Sequence, residues 1–234
     1  MKSDYIDIYL LHQPDPLTPI EETLDALEEL VREGKVLYTG LSNYPAWAMA
    51  RTSYTSTFRN RLPMSVAQIQ YNLCYREDER DVLPLCKQEG IGVMVYSPLA
   101  RGWLAGNRED RPTSQSANEL ARASSDAKAH ALYGGSADQA VLERVLDMAS
   151  QKSIPPARLA MAWVLSNSLV SSILCGVLDD SHLDEAVLAL DVELCAEDLA
   201  FLEAPYRPQA VKETALTAVL GSSSTPASSS KASS

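Results

Sequence analysis

Five short apolar runs, each followed by a stretch with helical spacing, constrain this chain more than any other feature. The runs are DYIDIYLLH (4–12), VLYTGLSN (36–43), SVAQIQYN (65–72), IGVMVYS (91–97) and SSILCGV (171–177). Continuous apolar, β-branched runs of this kind predict parallel strands buried on both faces. Between them, TPIEETLDALEELVREGKV places Ile20, Leu24, Leu27 and Val31 on one helical face, with Thr18 as the expected cap and Gly34 as the stop. Further helices are expected in YPAWAMARTSYTSTF, in REDERDVLPLCKQEG ending at Gly90, and in ADQAVLERVLDMASQKS. The last three are PPARLAMAWVLSNS, opened by prolines that suit a first turn, SHLDEAVLALD and AEDLAFLEA. A strand followed by one or two helices, repeated, makes an α/β protein with a parallel sheet. The sheet is either doubly wound or part of an eight-fold barrel, and periodicity does not choose between them.

Residues Asn107 to Gly135 turn polar and aperiodic and read as a long surface excursion. The last fourteen residues, GSSSTPASSSKASS, are too poor in apolar surface to offset the entropy of ordering, so 221–234 is expected to be a disordered Ser-rich tail behind a folded unit of residues 1–220. A formal net charge of −11 opposes a general nucleic-acid or anionic-membrane surface, since both need clustered Lys and Arg. No window has the run of about 20 apolar residues that a spanning helix requires, and the amino terminus lacks a signal-peptide pattern. Cys74, Cys86, Cys175 and Cys195 are widely spaced with no CxxC pair, which suggests reduced, buried thiols and a cytoplasmic protein.

In parallel α/β architectures ligands bind at the carboxyl ends of the strands. Those ends carry His12 with Gln13, Ser42 with Asn43, Gln68 with Gln70 and Asn72, Tyr96 with Ser97, and Gly176. Polar groups after five successive apolar strands suggest a rim built for a ligand. The sequence has no GxGxxG, no GxxxxGK[ST] and no GxSxG, and His12 has no second ligand at metal-binding spacing, so no metal site is expected.

Taken in order, DYIDIYLLHQPD, GKVLYTGLSN, QIQYN, YSPLARGWLAG and SSILCGVLDDSHLDEAVLALDVELCAEDLAFLEAPY resemble the carboxyl-terminal part of an aldo-keto reductase, over nearly all of residues 3–210. The resemblance implies a TIM barrel that binds extended NADPH and reduces a small-molecule aldehyde or ketone by hydride transfer. It makes His12 the His of the family's Asp, Tyr, Lys and His tetrad. It places Ser42, Asn43 and Gln68 at the nicotinamide carboxamide, Tyr96 against the nicotinamide ring, and Ser97, Pro98, Leu99, Gly102 and Leu104 under the pyrophosphate. Gly176, Val177, Leu178 and Asp179 fall where the family grips the 2′-phosphate, and His182, Leu183 and Glu185 where it contacts adenine. Trp103 is the Trp expected to touch substrate.

Two departures shape the expectation. The first strand here resembles the family's fourth, so the three βα units that carry the tetrad's Asp, Tyr and Lys have no counterpart in these 234 residues. Loss of a general acid removes typically 10²- to 10⁴-fold in rate, so reduction is expected to be impaired. The alternative is a non-catalytic remnant or a module that keeps part of the cofactor pocket. About five βα units form an open arc, whose edges favour self-association or pairing with something that completes the sheet. The second departure is Asp179, an acid where the family has a cation, which favours NADH over NADPH by repelling the 2′-phosphate.

Overall fold

A computed structural model describes residues 2–59, 61–106 and 132–211. The polar excursion up to residue 131, and the chain from residue 212 onward with the Ser-rich tail, lie outside the described residues. Five parallel strands, β1 (Ile6–Leu11), β2 (Val36–Ser42), β3 (Val66–Gln70), β4 (Gly92–Tyr96) and β5 (Val170–Ile173), lie side by side in chain order. The helices are α1 (Ile20–Arg32), α2 (Ala46–Phe58), α3 (Val82–Glu89), α4 (Ser136–Lys152), α5 (Pro156–Ser166), α6 (Asp180–Leu188) and α7 (Ala196–Glu203). A doubly wound sheet reverses its strand order at a switch point. This sheet has no reversal, so it is the arc of a β/α barrel and not a doubly wound sheet.

Burial shows which face the helices cover. Leu41, Ala67, Ile69, Val93 and Val95 are buried beneath them, together with Leu24 and Leu27 of α1, Leu83 of α3 and Leu159 of α5. The other face follows from strand register, because residues paired across parallel strands point the same way and alternate along each strand. Ile8 pairs with Tyr38, Leu10 with Gly40, Gly40 with Val66, Val66 with Gly92, and Ser42 with Gln68, which pairs in turn with Met94. These residues line the concave side. Ile8 is 38% and Tyr38 58% exposed, so that side is open among the described residues.

The first strand therefore differs from expectation. It is not buried on both faces: Asp7, Ile8 and Tyr9 are exposed, because β1 has β2 as its one strand neighbour among the described residues. The last strand is also shorter than expected and starts one residue earlier, at Val170, with a register irregularity opposite Val93 and Met94. Thr18 is not the cap of α1. Pro19 holds that position, and the Thr18 hydroxyl donates to Asp15 Oδ2 at 2.7 Å. Gly34 and Gly90 do terminate α1 and α3, with φ of 71° and 68°. Of the thiols expected to be buried, Cys74 and Cys86 are, whereas Cys195 is exposed at the start of α7. The excursion ends before Tyr133, which is 2% exposed and packs into the core. No helix among the described residues is long and apolar enough to cross a membrane.

Candidate active site

One residue, Asn43, bonds to the ends of β1, β2 and β4 through its side chain and to β3 through its backbone N–H. Asn43 follows β2 with φ of 58°, a left-handed conformation that Asn tolerates better than most residues. From there its Nδ2 donates to the His12 carbonyl at 2.8 Å and to Ser42 Oγ at 3.1 Å. Its Oδ1 accepts from the Tyr96 hydroxyl at 2.7 Å. The Asn43 N–H donates to the Gln68 carbonyl at 3.4 Å. The His12 carbonyl, Ser42 Oγ and the Tyr96 hydroxyl thus meet around the Asn43 side-chain amide, and Gln68 joins through its carbonyl at the Asn43 backbone N–H. The side-chain amide has spent both N–H donors, and its oxygen keeps one lone pair. Ser42 is 2% exposed, while Gln68 and Tyr96 are half-buried on the concave face and His12 is exposed.

A second layer lies under β3 and β4. Asn72 is 0% exposed and uses both its N–H donors: Oδ1 accepts from Cys74 N–H at 3.0 Å, and Nδ2 donates to the Ser97 carbonyl at 3.0 Å and to the Tyr133 hydroxyl at 3.1 Å. Tyr133 also accepts from Gln70 Nε2 at 2.5 Å. The Ser97 to Gly106 loop needs such support. Ser97, Ala100 and Arg101 have φ of 54°, 48° and 59°, followed by Gly102 at 94°. Non-glycine residues held there cost of order 1–3 kcal/mol each, so surrounding contacts must impose the shape. Pro98, Ala100 and Leu104 are buried, and Leu99 packs against the core. Tyr133 was hidden in the sequence inside a polar stretch. Its signal is an isolated aromatic directly before Gly134, Gly135 and a helix start.

Trp103 departs from its expected place at a substrate. It is 7% exposed, its indole N–H donates to the Asp138 carbonyl at 3.2 Å, and Gly134 packs against its ring. It ties the loop to α4. Behind the rim, the turn after β3 is pinned by charge: Arg76 forms a two-bond pair with Glu79 and reaches Glu203, while the Tyr206 hydroxyl donates to Glu77 Oε1 at 2.6 Å. Burial, reinforced by the carboxylates of Asp81 and Glu77, pushes the Asp78 carboxyl up to about 7. Burial and the Glu79 hydrogen bond likewise raise Tyr71.

At the fifth strand the groups are arranged differently. Gly176, Val177 and Leu178 are exposed, and Asp179 caps α6 by accepting from Ser181 N–H at 2.9 Å and Ser181 Oγ at 2.7 Å. Those bonds hold its carboxyl below the usual range, so it stays ionised. His182 Nδ1 accepts from the Leu178 N–H at 3.4 Å. Glu185, expected near an adenine, instead makes a bidentate pair with Arg158 of α5 at 2.7 and 2.8 Å, which occupies both carboxylate oxygens.

The sequence profile described as "Aldo/keto reductase family" matches residues 1–206. The chain belongs to the aldo/keto reductase family. Among relatives, a putative aryl-alcohol dehydrogenase, AAD16, of Saccharomyces cerevisiae is 33% identical over 205 residues, covering 88% of this chain and 58% of that protein. Versiconal hemiacetal acetate reductase of Aspergillus parasiticus is 35% identical over 211 residues, covering 88% and 59%. The crystal structure of a thermostable aldo-keto reductase, Tm1743, in complex with the inhibitor epalrestat superposes with a TM-score of 0.64 at 26% identity, covering 87% of this chain and 61% of that one. The chain thus spans about three fifths of the length of these aldo-keto reductases. The family generally uses NAD(P)H. The nicotinamide end of such a cofactor fits the residues present, since Asn43 Oδ1 retains an acceptor site, the Gln68 amide has no hydrogen bond among the described residues, and the Tyr96 ring stands on the open concave face.

Proposed function

We propose that this chain carries the cofactor-binding part of an NAD(P)H-dependent reductase that converts a small-molecule aldehyde or ketone to its alcohol. The observation that carries the reading is the Asn43 junction, which draws the ends of four strands into one polar rim. Ser42, Asn43 and Gln68 would hold the carboxamide of a bound dinucleotide and Tyr96 its nicotinamide. The Ser97 to Leu104 loop would hold the pyrophosphate, and Gly176 to Asp179 with His182 the adenosine. A bound dinucleotide would supply hydride. The chain's own residues orient it, through the amide junction, and shield it from water along the buried loop. His12 stands exposed at the rim, where its imidazole would be available to a substrate carbonyl oxygen.

Asp179 supports a preference for NADH. A free ribose 2′-hydroxyl can donate to its carboxylate, whereas a 2′-phosphate meets like charge. The widely spaced cysteines keep the cytoplasm as the proposed location.

A second reading, a cofactor-binding module without turnover, is favoured by the Tyr96 hydroxyl, which already donates to Asn43 and is not poised to protonate an alkoxide. A single-turnover mix of the chain, NADH and an aromatic aldehyde separates the readings. Aldehyde-dependent loss of NADH absorbance supports the first. NADH binding without oxidation supports the second, and neither binding nor oxidation overturns both.

A further inference from the structure

Helix α2 is packed inside out. Its buried side carries Ala48, Met49, Thr52, Ser53 and Ser56, and the Thr52 hydroxyl bonds back to the Ala48 carbonyl at 2.8 Å. Its solvent side carries Trp47, Tyr54 and Phe58, which are 59%, 47% and 89% exposed. With Arg51 these residues stand at i, i+4, i+7 and i+11, a single stripe along the helix. Scattered exposed apolar residues are ordinary, whereas a contiguous aromatic stripe opposite a small, polar buried face marks an interaction surface. The stripe lies on the helical layer, away from the open side of the sheet, with α1 on one flank and α3 on the other.

The charges around the stripe indicate what covers it. Arg51 lies 4.0 Å from Glu21 of α1, and the Tyr54 hydroxyl donates to Glu89 of α3 at 3.3 Å. Arg61, just beyond the helix, pairs with Asp25 and, at 3.4 Å, with Glu28. Carboxylates on both flanks oppose an anionic lipid surface. Their pairing with arginines leaves the patch close to neutral on a chain of formal net charge −11. A neutral aromatic patch is where two copies of so acidic a chain approach with least repulsion.

The stripe also matches itself. In a two-fold pair of antiparallel helices centred between Thr52 and Ser53, Trp47 of one copy faces Phe58 of the other at each end. Arg51 then falls level with Tyr54 of the second copy. Both pairings are favourable, aromatic on aromatic and guanidinium on a phenol ring. With about 150–250 Å² of surface on each aromatic side chain, the three exposed fractions amount to about 400 Å² per copy. Counted on both copies and bordered by Thr57 and Leu62, the contact approaches the roughly 1,000 Å² of a weak, reversible interface.

We propose that the outer face of α2 is a self-association surface, on which two copies of this chain pair α2 against α2, antiparallel, through Trp47, Tyr54 and Phe58. The pairing needs neither a bound dinucleotide nor turnover.

Analytical ultracentrifugation of the full 234-residue chain over a range of concentrations tests it. The expected result is a reversible monomer–dimer equilibrium that tightens as salt is added, since salt screens the repulsion between two acidic chains and spares the aromatic contact. Trp47→Lys and Phe58→Glu, both at exposed positions, are each expected to weaken the dimer at least about tenfold while the melting temperature holds. An equal mixture of the two variants is expected to associate more tightly than either alone. The antiparallel register sets the two substituted positions against each other with opposite charge and keeps Phe58 against Trp47 at the other end. Ile8→Lys, on the concave face, is expected to leave the dimer as it is, which separates this surface from association through the open sheet. A monomer at every concentration, a dimer that weakens with salt, one that both α2 substitutions spare, one that a folded Ile8→Lys chain loses, or a mixture no tighter than its components overturns the proposal.

Discussion

Gly40 sits in the middle of β2, where a side chain has nowhere to go. A Cβ built there falls inside van der Waals contact with the Val66 carbonyl oxygen and 2.6 Å from Leu10 Cδ2. The leucine methyl can rotate away, but the carbonyl is part of the neighbouring strand. Gly40→Ala therefore forces β2 and β3 apart at the register pair that leads to Ser42 and Gln68. Overpacking of this kind costs about 1–3 kcal/mol, and a backbone obstacle puts the change at the upper end. Replacing Gly by Ala returns about 0.4–1 kcal/mol by restricting the unfolded chain, leaving about 2 kcal/mol of destabilisation. For a domain of this size that lowers Tm by about 4–8 °C. Gly176→Ala is the control, because no atom lies within 4 Å of its Cβ position. It is expected to keep the unfolded-state gain of about 0.4–1 kcal/mol with nothing to offset it. Circular dichroism melts of the two variants beside the parent chain measure the difference. If Gly40→Ala melts with Gly176→Ala, the strand packing described here is wrong.

Three further outcomes follow from the same geometry. Asn72→Ala removes the acceptor of the buried Cys74 N–H and one of two donors to the Ser97 carbonyl, which keeps the Ala100 N–H, and is expected to cost about 1–3 kcal/mol in denaturant unfolding. The Asp78 carboxyl keeps its proton up to about pH 7 when folded but only to about pH 4 when unfolded. Its contribution is thus full below pH 4 and lost as pH rises from 4 through 7, so Asp78→Asn is expected to flatten the fall of Tm across that window. Arg158→Ala breaks the partly exposed pair with Glu185, at a cost of about 0.5–1 kcal/mol that shrinks as salt is added.

Much of this architecture is legible in the sequence because its signals are local. The five apolar runs, the α1 face of Leu24 and Leu27, and the stops at Gly34 and Gly90 each depend on neighbours a few residues away. The rim was legible for a related reason: His12, Ser42 and Tyr96 each stand at the end of a strand, with Gln68 inside β3 beside Ser42, and parallel strands bring their ends to one side. What the sequence concealed depends on partners far along the chain. Tyr133 reaches Gln70 and Asn72 more than sixty residues back. Glu185 is claimed by Arg158, twenty-seven residues earlier, and Trp103 by the Asp138 carbonyl. The apolar first run suggested a buried strand, yet apolarity records only that a surface favours cover, and on β1 that cover is not among the described residues.

The rim around Asn43 as a nicotinamide dinucleotide site is the claim on which the account rests, and calorimetric titration with NADH tests it most directly. Asn43→Gly is the informative variant, since glycine accepts the positive φ that alanine would resist, so the side chain is removed without added backbone strain. The account predicts saturable one-to-one binding by the parent chain and binding at least about tenfold weaker for Asn43→Gly, equivalent to about 1.4 kcal/mol. Equal binding by the two chains, or no saturable binding by the parent, would contradict it.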